Sequence, residues 1–222
     1  MNNLPYIDIL ILAMIAVFII NRLKNALGKK TGNESDIVEK FTQKKSAFKE
    51  SEPDSVSNPK VSINKNIHKN ENINNSLNEM IKIDNNFNIS EFVSGAKKAF
   101  EFILVQYSQN NLKSLKTLLS NKMLDAFQTQ INLREKKLES LEITVISVKD
   151  PEILDAKIDN KSIALVTLLF DSEQIQITKN KNGDVVDGDS NQILSIKENW
   201  SFSKNLKNKD PNWTLERIEE SN

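Results

Sequence analysis

The chain has 222 residues, enough for one domain of ordinary size with extensions. Lysine plus arginine and aspartate plus glutamate balance at 30 each, which argues against a nucleic-acid binder, whose signature is a basic excess. With no cysteine, five glycines and the single histidine His68, the chain has little material for thiol catalysis, disulfides, thiolate or imidazole metal sites, Ser-His-Asp chemistry or a glycine-rich phosphate cradle.

The chain opens on an apolar run, unbroken from Ile9 to Ile20 and widening to residues 4–23. Twenty helical residues span roughly 30 Å, the thickness of the hydrocarbon core. Tyr6 and Asp8 lie at one end, at interfacial depth, and Arg22 and Lys24 can reach outward from the other. A secretory signal carries its positive charge before the apolar stretch and a small-residue cleavage site after it. Here Arg22, Lys24, Lys29 and Lys30 all follow the run, and no such site lies just beyond. The pattern is that of a single transmembrane anchor with its C-terminal side in the cytoplasm. A buried helix of a soluble protein is the competing reading.

From 24 to 87 the sequence is a polar spacer with sparse apolar residues, broken by Pro53 and Pro59. Such text buries too little apolar surface to offset the entropy of ordering. A short helix over Asp36–Lys49 is expected at most. Ile37, Val38, Phe41 and Phe48 recur there at roughly helical spacing, which suits either a solvated linker or a segment that folds on a partner.

The folded module is expected from 88 to 222. Phe92, Ala96, Phe100, Ile103 and Tyr107 line one face of a helix, with Asn88 and Glu91 in the form of a capping box and Asn110-Asn111 as its stop. A short leucine-rich helix follows, and Ser120 begins a third, with Met123, Phe127 and Ile131 on one face. After Leu141 the apolar period changes from 3.6 to 2. "LEITVISVKD" is a strand, "EILDAKID" a weaker one, and "IALVTLLFDSEQIQITK" a long one. "NKNGD" marks a hairpin, "VVDGDSNQILSIKENWSFSK" a further strand with a possible bulge at Gly188, and "WTLERIEE" the last. Helices first and a meander after predict an α+β fold: helices on a curved antiparallel sheet of about four strands, a cone with an apolar wide end. Phe92, Phe100, Phe127, Trp200, Phe202 and Trp213 are candidates to line that pocket, and ordinary core packing is the alternative for each.

"FVSGAKKAFEFI", "LKTLLSNKMLDAF", "GDVVDGDSNQILSIKENWSFSKN" and "DPNWTLERI", taken in that order, resemble the Tim-forty-four-like domain. The anchor followed by "LGKKTGNE" is similar to its alphaproteobacterial branch, known as TimA. Gly95 and Ala96 match the first-helix pattern, Gly183, Gly188 and Asp189 the hairpin, and Trp200, Phe202 and Trp213 the strand aromatics. The resemblance implies a cone related to nuclear transport factor two. It implies a non-catalytic adaptor on a bacterial inner membrane, with no cofactor and no metal. Its partner would be a protein of the translocation or chaperone machinery, a peptide, or an acidic phospholipid. Lys204 stands where the family pattern often has arginine, which weakens an anion contact there. For anionic lipid, Arg22, Lys24, Lys29, Lys30, Lys97, Lys98 and Lys113 are the candidate contacts.

Two other readings remain. Bridging components of type IV secretion assemblies also join one span to a cone, but with positive charge before the span. Cone-fold enzymes need an acid or base inside the cavity, for which Asp125, Asp171 and Glu173 are the candidates.

Overall fold

The computed structural model describes residues 67–221. The expected anchor (residues 4–23), the basic patch that follows it, and the short helix over Asp36–Lys49 lie outside the described residues. Among those described, no helix is long and apolar enough to cross a membrane.

The folded unit begins earlier than expected. Helix α1 runs from Glu71 to Ile83, inside the stretch expected to be spacer. Asn70 caps it, its side chain accepting from the backbone N–H of Asn72 and Ile73. Ile73, Leu77 and Met80 are buried. Their spacing makes one helical face, which the intervening asparagines, poor helix formers, conceal in the sequence. Packing supplies what propensity lacks.

Helix α2 (Ile89–Ser108) starts at Asn88, whose side chain accepts from the Glu91 N–H, and stops before Asn110, which sits at φ 58°. The leucine-rich segment is one 3₁₀ turn, Leu112–Leu115, rather than a full helix. Helix α3 (Asn121–Lys137) is capped by the Ser120 hydroxyl, as the sequence predicts.

Six strands follow, not four: β1 (Ser140–Val148), β2 (Glu152–Ile158), β3 (Ile163–Lys179), β4 (Val185–Gly188), β5 (Leu194–Asn205) and β6 (Thr214–Glu220). The weak strand is real, and the "VVDGDSNQILSI" stretch is two strands parted by a turn in which the Gln192 N–H reaches the Asp189 carbonyl. Gly188 ends β4 at φ 83°, and a Cβ there would collide with the Gln176 carbonyl oxygen across the ladder. All pairings between these strands are antiparallel. The 17-residue β3 is the spine. It carries β1 and β2 end to end on one side, β5 and the short β4 on the other, and β6 lies outside β5.

The burial of β3 alternates, so one face meets the helices and the other faces out. Ala164, Val166, Leu168 and Phe170 on the inner face are completely buried. Register sets Val166 opposite Phe202 and Leu168 opposite Trp200, so β5 continues that face. Ile218 and Leu215 extend it onto β6. Each of the larger of these side chains contributes about 1.5–3 kcal/mol on burial, which is why the inner face holds the helices.

Candidate functional site

Alternation on β5 points Trp200 and Phe202 inward. The i, i+4, i+8 spacing on α2 turns Phe92, Ala96 and Phe100 down onto them. The aromatic rings form one connected row. Trp213 meets Phe92 at 4.4 Å between centroids and Phe87 at 5.5 Å. Phe92 meets Phe202 edge-on at 6.2 Å, and Phe202 lies 6.3 Å from Trp200. Trp200 meets Phe100 at 4.8 Å, and Phe100 stacks on Phe170 at 4.5 Å and 6°. Five of the six candidate pocket residues are thus brought together, ring against ring, between the helices and the sheet.

Phe127, the sixth, belongs to the same core but makes its ring contact elsewhere, with Tyr107 at 4.7 Å. The Arg134 guanidinium lies 4.4 Å over Tyr107 and donates to the Tyr107 carbonyl and the Asn110 side chain. Burial pushes the Tyr107 hydroxyl above its ordinary pKa.

Sequence reasoning missed two members of the row. Phe87 fell at the end of the expected spacer, and Phe170 in the middle of a strand read only as apolar. The alternation of β3 is the signal that would have placed Phe170 inward.

Beyond Phe170 the inner face of β3 turns polar. Gln176 donates to Gln174, Gln174 to Ser172, and the Ser172 hydroxyl faces the Ile196 carbonyl. Ser172 and Gln174 are both buried. Beside this ladder sits Glu198, opposite Phe170 on one side and Glu220 on the other. Burial raises the Glu198 pKa, and the field of Glu220 adds to that; the Trp200 indole N–H, which donates to the carboxylate at 3.2 Å, works against it. Of the acids considered for an enzyme, none has this position. Asp125 is exposed on α3. Asp171 and Glu173 lie on the outer face. There Lys149 and Lys197 hold the Asp171 carboxyl below the ordinary range, and Glu173 accepts from the Ser147 hydroxyl.

The basic candidates also sort themselves. Lys204 is engaged within the fold: it is largely enclosed and pairs at 2.9 Å with Asp84, the C-cap of α1. That bond holds the Asp84 carboxyl below its ordinary value despite partial burial. Lys97 is half-buried and bonded to Asp150 at 2.8 Å. Lys98 and Lys113 are exposed. Arg22, Lys24, Lys29 and Lys30 lie outside the described residues.

Residues 73–220 match the family model described as the Tim44-like domain. The chain is similar to the uncharacterised protein RP434 of Rickettsia prowazekii (strain Madrid E), with 27% identity over 227 residues covering 96% of this chain and 97% of that protein. Among solved structures it is similar to the intermembrane space region of the chloroplast protein ARC6. That match has a TM-score of 0.36 and 9% identity, covers 55% of this chain and 94% of that one, and is too distant to bear on function.

Proposed function

Because this chain belongs to the Tim44-like domain family, we propose that it is a non-catalytic adaptor held at a bacterial inner membrane, whose C-terminal domain binds a partner protein, peptide or lipid. The family match carries this reading. The architecture agrees with it: the interior is occupied by an aromatic row in mutual contact, and the acids first considered for catalysis face outward.

In this account residues 4–23 fix the chain in the bilayer with the N-terminus outside, and the C-terminal domain works in the cytoplasm. Attachment raises the local concentration of the domain, so modest affinity for a translocation or chaperone component suffices. Lys98 and Lys113, together with the basic patch from Arg22 to Lys30, are the contacts proposed for anionic headgroups.

Crosslinking of the full-length protein in its own membranes, followed by mass spectrometry, tests the adaptor reading. A reproducible partner from translocation or membrane-protein assembly is expected; capture of nothing beyond abundant bystanders contradicts it. Flotation of the full chain on vesicles with and without anionic lipid tests the second contact. Lys98→Glu/Lys113→Glu should weaken the anionic component only, and equal flotation would remove those lysines from the account.

The enzyme reading has one observation in its favour, the partly buried Glu198 with its raised pKa. Turnover of a small metabolite that disappears in Glu198→Gln would replace the adaptor reading.

A further inference from the structure

Enclosed donors in a folded protein nearly always meet an acceptor, because one that does not forfeits its hydrogen bonds to water. Helix α3 carries two that do not. The Nε2 of Gln130 and the Nε of Arg134 are shut away from solvent and have no acceptor among the described residues. The two residues stand four apart, so they share one face of the helix, a turn from each other.

Arg134 is firmly placed. Its Nη2 donates to the Tyr107 carbonyl at 3.0 Å and to the Asn110 side chain at 2.8 Å, and its guanidinium lies over the Tyr107 ring. All three contacts are to neutral groups. No carboxylate pairs with it among the described residues, whereas the Arg217 Nε stands 3.2 Å from Glu219. Leu138 follows Arg134 one turn further on the same face, at φ 55° and 61% exposed. Past it the chain enters β1 at Ser140, opposite Lys179 at the end of β3. The face of α3 that begins with Met123 and Phe127 therefore turns polar at the end of the fold where β3 passes from Phe170 to Ser172, Gln174 and Gln176. A fixed guanidinium and an amide donor beside an exposed leucine match a carboxylate with an apolar neighbour.

We propose that the last two turns of α3 bind a carboxylate of a partner polypeptide. An acidic side chain or chain end takes the free donors of Arg134 and Gln130, and an adjoining apolar residue rests on Leu138. Peptide groups flanking that carboxylate suit the polar end of β3, as a bare methylene chain would not. The proposal deepens the adaptor reading and rests on it.

The chain has three arginines, Arg22, Arg134 and Arg217, so the full-length protein labelled with nitrogen-15 arginine in neutral detergent gives three Nε–Hε signals. Arg134→Lys assigns the one that matters. The probe is a Leu-Glu-Leu peptide blocked at both ends, with Leu-Gln-Leu as its control. The glutamate peptide should shift the Arg134 signal saturably and leave that of Arg217 in place; the glutamine peptide should shift neither. Gln130→Leu should weaken the titration several-fold without lowering the thermal midpoint, because the amide N–H it removes has no acceptor among the described residues. A silent Arg134 signal, an equal response to the glutamine peptide, tighter binding of octanoate or inorganic phosphate, or an unchanged titration in Gln130→Leu would each overturn the proposal. Failure of the adaptor reading itself shows separately, as the absence of a captured partner in the membrane crosslinking.

Discussion

Two carboxyl groups with opposite displacements make the residue scale testable. Asp84 is held low by Lys204, so its contribution to stability is complete above its ordinary pKa of 3.8 and fades as the pH falls through its folded value. Glu198 is raised by burial. Its contribution is complete below its ordinary 4.5 and fades as the pH rises through the folded value. Urea unfolding should therefore show Asp84→Asn flattening the acid side of the stability profile. Glu198→Gln should raise the midpoint at pH 7 and leave it unchanged near pH 4; a lowered midpoint at pH 7 would mean that the carboxylate stabilises the fold. Lys204→Met leaves a carboxylate with little water around it and only the Asn86 N–H as partner, and is expected to cost about 3 kcal/mol. Adding Asp84→Asn to it should recover much of that loss.

At the scale of elements, α1 is the piece the sequence hid. Leu77→Ala should destabilise the domain by about 3 kcal/mol, as for a buried leucine elsewhere. If α1 were only an ordered end of the spacer, thermal unfolding would barely move. Gly188→Ala should cost about 1–3 kcal/mol, because the positive φ and the approach of the Gln176 carbonyl both resist a side chain. What was legible rested on strong local signals. The Asn88 and Ser120 caps, the helix stop at Asn110 and the change of period at Leu141 each depend on a few neighbouring residues. What was hidden depends on tertiary partners. Ile73, Leu77 and Met80 form a face only once β2 is there to receive it, and Lys204 finds Asp84 across 120 residues. The division into β4 and β5 turns on Gly188, read only as a possible bulge. The candidate pocket residues were legible as apolar positions at helical and strand spacing, and their ring contacts depend on tertiary partners.

At the scale of the molecule, the parts divide the work. An apolar N-terminal run is expected to hold the chain in lipid, a polar stretch separates it from the domain, and the Tim44-like domain is the part proposed to meet a partner. The aromatic row joins α2 to β5 and β3, and the polar ladder continues the inner face of β3 beside Glu198. The central claim is that lipid holds the front of the chain while the domain works in the cytoplasm. Labelling of a single cysteine tests it most directly. With Asp125→Cys on the exposed side of α3 in the full-length chain, the protein should stay with the inner membrane through an alkaline wash. The thiol should react with an impermeant maleimide only after the cells are opened. A chain released by the wash, or a thiol labelled in intact spheroplasts, would contradict the account.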